Sequence, residues 1–416
     1  MRQKLHKHLS GRGESLLAIA SFGMSSVYWL GLAFVMSADS YGRMMTLQAA
    51  VMLVTTLVTL RTHDLVFNLI AQNGARIGSA SAVAFRWEVG SVLSATLLCA
   101  AGTLVLDLPR VDWAFRAQVI AFAAMSSIGV NHGSSIAKLR YHSRHDIISV
   151  VEAITSVAWA AACVSMLFVP GRPPMTMLAI GALPPMIRAL ALTAVARTGV
   201  GLPQAVAGDQ VRKAGEWRQI ARFLAGAQLI NFLKNGAVSI ETMILAAFAS
   251  PATVAIYRIA RAMQGASNAA MNVSYQRAYP RIARAADAAG RRAEMSALRR
   301  SSARICLLFY PLSALVALGY ALLKPDVDVI EIEVITAATF IAMLATGYQQ
   351  AAFAALSIAG DNRSAGLAYG ISTGFLLLAS TLLFLWPSVE IFLMGIIGAA
   401  FVRLWIMDMR SQKLVR

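Results

Sequence analysis

The stretch TVAIYRIARAMQGASNAAMNVSY, residues 253–275, is long enough to cross a bilayer as a helix and carries most of its polar groups on one side. At 100° per residue, Arg258, Arg261, Gly265, Asn268 and Asn272 fall within an arc of roughly 80°, on a helix otherwise rich in Ala, Ile, Met and Val. An arginine near a membrane centre costs about 2.5–3.5 kcal/mol even on the lenient insertion scale, so two within one turn need water or an anionic ligand beside them. The competing reading sets both near a helix end, snorkelling to headgroups. It suits Arg258 better than Arg261, and the stripe continues inward through Asn268 and Asn272.

Composition sets this stretch among many like it. Of 416 residues 58% are hydrophobic and 14% charged, against about 25% charged in a globular domain, which is too little polar surface to coat a soluble protein. The chain reads as an all-α integral membrane protein. Hydropathy marks twelve candidate spans near 15–36, 44–67, 84–106, 115–137, 147–169, 175–196, 220–248, 253–275, 304–323, 330–356, 365–386 and 389–408. The first follows a basic lead (Arg2, Lys4, Lys7, Arg12) but exceeds a signal-peptide core of about 7–15 residues, so it is read as an uncleaved span.

The net charge of +17 reports topology and not nucleic acid. Of 37 Lys and Arg, 26 lie in the two termini and in alternate connections, while the other connections hold only Arg43, Arg110, Arg116, Arg172 and Lys324. The positive-inside rule then puts both termini in the cytoplasm, with membrane lipids and no nucleic acid as partners. Cys99, Cys163 and Cys306 sit in apolar runs without paired spacing, so no disulfide, metal or cofactor is expected.

Two inner connections are long. Residues 197–219 carry Gly and Pro punctuation and read as a cytoplasmic linker between an N-terminal six-helix lobe, 1–196, and a C-terminal one, 220–416. Pro280–Arg304 is Ala/Arg-rich and helix-forming, and is expected to lie along the inner leaflet, where its basic face either only enforces topology and binds anionic lipid or does more. A weak repeat with an offset of 216 aligns Tyr41 with Tyr257 and Arg61 with Arg277. Arg258 and Arg261 align with Gly42 and Met45, so the cationic stripe belongs to the second half alone.

Four short stretches carry a family likeness: Ser40-Tyr41-Gly42 in the first outer turn, Tyr275-Gln276-Arg277-Ala278-Tyr279-Pro280-Arg281-Ile282 where the eighth span ends, Phe309-Tyr310-Pro311-Leu312, and Ala359-Gly360-Asp361-Asn362-Arg363. With the span pattern, the chain resembles the polysaccharide-lipid (O-antigen/exopolysaccharide) flippases of the multidrug/oligosaccharidyl-lipid/polysaccharide exporter superfamily. The resemblance implies two six-helix lobes around a central, often cationic cavity that opens alternately to either side. It implies a cargo of undecaprenyl-pyrophosphate-linked oligosaccharide, flipped across the cytoplasmic (inner) membrane for surface polysaccharide biosynthesis. Other polysaccharide assembly proteins are candidate partners.

A pyrophosphate headgroup matches the paired N–H donors of arginine, which makes Arg258 and Arg261 the first binding candidates, with Asn268 and Asn272 along the same stripe. Lys234 and Glu241 share a face of span seven, where Lys234 could add a phosphate contact and Glu241 could titrate; an ion pair that only fixes packing is an equal reading. Arg188 lies one turn beyond Pro184-Pro185, on a kinked lumen-facing helix or beside a simple bend. His132 and Glu152 are coupling candidates, with a satisfied interhelical hydrogen bond as the rival reading. Span ten offers Thr336, Thr339, Thr346 and Gln350 to a sugar path, unless the threonines only back-bond to their helix.

The chain has no nucleotide-binding Gly-rich loop, no zinc-protease His-Glu-x-x-His and no Gly-x-Ser-x-Gly elbow. A non-enzymatic transporter is therefore expected. Its nearer rival is a cation-coupled multidrug exporter of the same superfamily. The more distant one is a membrane glycosyltransferase or polymerase, which would need Asp39, Asp107, Asp112, Asp326 or Asp328 to work from short outer loops.

Overall fold

The computed structural model describes residues 2–73, 77–105, 113–198, 220, 224, 228, 229, 231–285, 287–324, 327–359 and 361–415. Among them there are helices and no strands: α1 (Arg2–Val35), α2 (Ala38–Val58), α3 (Thr62–Asn73), α4 (Ile77–Val105), α5 (Trp113–Val130), α6 (Gly133–Tyr141), α7 (His145–Phe168), α8 (Pro174–Thr198), α9 (Ala237–Phe248), α10 (Pro251–Arg284), α11 (Ala288–Leu323), α12 (Val329–Ile358), α13 (Asn362–Leu382) and α14 (Val389–Val415). Nine helical stretches among the described residues are long and apolar enough to cross a membrane, and Ala20–Val35 and Ala237–Phe248 are shorter apolar helices. The chain is a multi-pass membrane protein. The expected eighth span lies within α10, which has the length but is too polar to count among the nine. Residues 221–223, 225–227 and 230 of the expected seventh span, and the linker residues 199–219, lie outside the described residues.

Contacts divide the chain into two compact units. Unit 1 comprises Met1–Tyr28 and Ala50–Gly236, and unit 2 comprises Trp29–Ala49 and Ala237–Arg416. These units depart from the sequence division at 197–219 in two places, and local contacts give the reason. Gln228 donates from Nε2 to the carbonyls of Thr56 (2.7 Å) and Leu57 (2.8 Å), tying the chain before Gly236 to α2. The α1–α2 turn packs within unit 2, where Phe34 meets Tyr320 edge to face at 5.7 Å. At Gly42 a side chain would collide with the Pro251 carbonyl, so only glycine permits that approach.

In unit 1, α5 and α7 both pack on α8, and α4 on α5. Two helical runs are interrupted: α2 gives way to α3 at Thr59–Arg61, and α5 to α6 at Asn131 and His132. The two restarts come close together. A Cβ at Gly133 would lie 2.6 Å from Thr62 Oγ1 and 2.8 Å from His63 N. Leu65, Val66 and Leu69 of α3 then bury against Ala80, Val83 and Ala84 of α4 and Ala137 of α6.

Unit 2 is built around α12, which contacts α10, α11, α13 and α14. Its small residues allow this: Ala351, Ala352 and Ala354 are fully buried, and Gly347 sits against Met271 and Ser302. The Pro280–Arg304 segment corrects an expectation. It forms no separate helix: α10 runs on to Arg284, and α11 restarts at Ala288 with Asp287 Oδ1 accepting from Gly290 N at 2.7 Å. Met295 and Leu298 pack on Ala278, Ile282, Ala351 and Ala354, and this apolar contact holds the start of α11 against α10 and α12.

Candidate functional site

Helix α10 begins with a strong local signal. Ser250 caps it, accepting from Thr253 N at 3.1 Å, and Pro251 occupies the first turn, where its missing N–H costs nothing. That start aims Tyr257, Arg258 and Arg261 into unit 2. Arg258 is half-buried and its guanidinium donates to Gln48 Oε1 at 2.7 Å. Arg261 pairs with Glu241 and also reaches Gln264 Oε1, its side chain 12% exposed and that of Glu241 9%. The same carboxylate accepts from the Tyr257 hydroxyl at 2.5 Å, and Arg261 lies 5.7 Å over the Tyr257 ring.

A third arginine joins this neighbourhood from the other end of the sequence. Arg403 on α14 lies within electrostatic reach of Glu241 and Arg261, because α9, which carries Glu241, packs against both α10 and α14. Its Nε donates to Gln349 Oε1 at 2.7 Å, its Nη2 reaches Thr346 Oγ1 at 3.4 Å, and it stacks 5.1 Å over Tyr369. Of these three arginines only Arg261 pairs with a carboxylate; the hydrogen bonds of Arg258 and Arg403 among the described residues go to the neutral Gln48, Gln349 and Thr346. Sequence reasoning placed Arg403 in a span without giving it a role. The signal was there in Thr346 and Gln349, one turn apart on α12, but their partner lies 54 residues away from Gln349.

The other candidates are distributed differently. Asn268 is half-buried, and among the described residues its Oδ1 lacks a partner; Gln350 likewise has a buried Oε1 without one, so both keep an unused acceptor. Asn272 is exposed. Lys234 falls in unit 1 and is exposed, whereas Glu241 falls in unit 2, because the helix breaks at Gly236 between them. Glu241 is held by Tyr257 and Arg261. On α12, Thr339 and Thr346 both back-bond to their own helix, at 2.9 Å to Ile335 O and to Ala342 O.

Unit 1 brings its three candidates into one network. Arg188 donates to Glu152 Oε1 from Nε (2.8 Å) and Nη2 (2.5 Å), and its Nη1 stands 2.6 Å from His132 Nε2. A guanidinium only donates, so that imidazole nitrogen accepts and His132 is neutral. Helix α8 passes through Pro184 and Pro185 without ending, and the close packing of Gly129 on Pro185 seats Arg188 beside the α5–α6 break. Glu88, which sequence reasoning passed over, is 2% exposed and accepts from Thr62 Oγ1 (2.6 Å), Ser134 N (2.7 Å) and Ser134 Oγ (2.6 Å). Both helix restarts thus point their N-terminal donors at one carboxylate.

Among the described residues no cluster of three or more His, Cys, Asp and Glu could hold a metal ion. No family model and no curated protein sequence matches the chain. Solved structures do match its fold. The chain is similar to a mutant form of the Vibrio cholerae MATE transporter VcmN, at 15% identity and a TM-score of 0.61, covering 99% of this chain and 96% of that one. It is similar to a multidrug resistance MATE family transporter of the MOP superfamily in its outward-facing conformation, at 12% identity, TM-score 0.62 and coverage of 97% and 96%. A eukaryotic MATE transporter, AtDTX14, matches at 12% identity and TM-score 0.54, over 99% and 98% of the two chains. At these identities the likeness is one of fold.

Proposed function

We propose that this chain is an alternating-access transporter that flips polyprenyl-pyrophosphate-linked oligosaccharides across the cytoplasmic (inner) membrane for surface polysaccharide assembly. The observation that carries the reading is the excess of Arg258, Arg261 and Arg403 over Glu241 inside unit 2. Buried cations without counterions are costly, and a pyrophosphate supplies charge of the right sign together with oxygens spaced for guanidinium forks. Asn268 and Gln350 offer their unused acceptors to sugar hydroxyls. The MOP-superfamily fold supports transport by rocking of its parts rather than an enzymatic role.

A second reading, a cation-coupled multidrug exporter, has support from the named neighbours, which are multidrug and MATE transporters. A cationic drug needs a carboxylate free to receive it. Glu241 is engaged by Arg261 and Tyr257, and this weighs for an anionic cargo. The test is leaflet translocation of a fluorescent polyprenyl-pyrophosphate oligosaccharide in proteoliposomes. Native activity that disappears in an equally abundant Arg258→Ala/Arg261→Ala variant is the expected result. Native export of a cationic dye, with no movement of the lipid, would establish the second reading. Sugar turnover by the purified protein would instead make it a glycosyltransferase or polymerase.

A further inference from the structure

A second basic site, made of other residues than the proposed transport site, lies in unit 1. A concavity of about 330 Å³ opens where α4, α6 and α8 meet, and its lining includes Arg86 of α4, Lys138 of α6 and Arg197 of α8, with the hydroxyls of Ser81, Ser135 and Thr193 between them. Among the described residues no carboxylate lines it. The nearby acid, Glu88, is occupied by Thr62 and Ser134. Three like charges directed into one hollow repel one another unless an anion joins them.

The side chains are arranged to receive one. Lys138 spends one of its three N–H donors on the Ala196 carbonyl at 2.7 Å, which fixes the ammonium and leaves two donors. The Arg197 guanidinium carbon lies 3.9 Å from the centre of the Phe85 ring, a cation–π contact that uses none of its N–H donors in a hydrogen bond. Phe85 and Ala82 also give the hollow an apolar wall. All three cations belong to connections that charge bias assigns to the inner face.

We propose that this hollow binds the phosphate group of a membrane lipid, with Arg86, Lys138 and Arg197 contacting its oxygens. The phosphate is borne either by an ordinary phospholipid or by a polyprenyl carrier, and the binding stands whether or not the chain transports glycans. The experiment uses the full-length protein, reconstituted in phosphatidylcholine nanodiscs doped with phosphatidylglycerol or with a polyprenyl phosphate, and counts retained lipid by native mass spectrometry. Inorganic phosphate is added in a third arm. Each cation near the surface contributes about 1 kcal/mol, so Arg86→Gln/Arg197→Gln loses affinity roughly 25-fold. That pair is exposed and leaves the Lys138–Ala196 bond intact, so folding is preserved; Arg43→Gln, outside the hollow, serves as the unchanged control. Preference for phosphatidylglycerol or for the polyprenyl phosphate supports the site and names its lipid. Equal retention by native and variant protein, or binding of inorganic phosphate alone, overturns it.

Discussion

The two units handle buried charge in opposite ways. In unit 1 Arg188 meets Glu152 in two hydrogen bonds and a neutral His132 in a third, and Glu88 is saturated by three donors. Every one of these groups has its partner within the unit. In unit 2 only Arg261 of the three arginines pairs with a carboxylate, and the other partners of the three among the described residues are the neutral Gln48, Gln264, Gln349 and Thr346 and the rings of Tyr257 and Tyr369. The first arrangement fixes helix packing and needs nothing further. The second leaves two of its three arginines without a carboxylate partner among the described residues, and this is the ground on which the binding site is proposed.

That contrast breaks most readily at the carboxylates. Glu152→Gln and Glu241→Gln each strand a buried guanidinium, and both should destabilise by about 3–5 kcal/mol in thermal unfolding followed by intrinsic fluorescence. Pyrophosphate in the buffer should restore the Glu241→Gln protein alone, since the arginines near Glu241 that lack a carboxylate partner have no counterpart beside Glu152. Equal rescue of both variants would erase the distinction between the units. A smaller and opposite effect is expected when a closed pair is removed whole: Arg188→Met/Glu152→Met should leave stability unchanged or raise it by about 1 kcal/mol or more, with glycan-lipid translocation intact.

Packing sharpens the comparison at lower cost. Gly42→Ala must push the Pro251 carbonyl aside and should cost about 1–3 kcal/mol, with no change in anion binding by unit 2. The mildest effect belongs to Asp361, which caps α13 by accepting from Ser364 N at 3.0 Å. Hydrogen bonds from Ser364 hold its carboxyl below the usual range. Its cap is therefore fully present above the ordinary carboxylate pKa and is lost as the pH falls through the lowered one. Asp361→Ala should cost at most about 1 kcal/mol near neutrality and nothing in acid, measured as the difference between melting curves at the two pH values.

Much of this was legible in the chain itself. The apolar runs located the membrane-spanning cores of the helices but not their polar extensions: α1, α10 and α11 run well beyond the spans expected at 15–36, 253–275 and 304–323. The stripe through Arg258 and Arg261 was readable because helical geometry alone brings such positions together. Three things were not. The Gly236 break separates Lys234 from Glu241, and no periodicity argument anticipates a break within an apolar run. Glu88 looked like an isolated acid near a span end, since its donors come from residues 26 and 46 positions away. The 280–304 segment read as a surface helix because its arginines dominate its composition, while Met295 and Leu298, which decide its docking, are a minority.

What the sequence determined is what a window of about 20 residues can hold: membrane residence, helix positions and the bias of basic charge, each set by the local cost of placing polar groups in hydrocarbon. What the tertiary structure decided is partnership. Arg261 meets Glu241 across 20 positions, Arg188 meets Glu152 across 36, and Arg403 reaches Gln349 across 54. A buried charge is stabilised or left wanting by the few groups within hydrogen-bonding distance, and only the packing of one helix on another selects them.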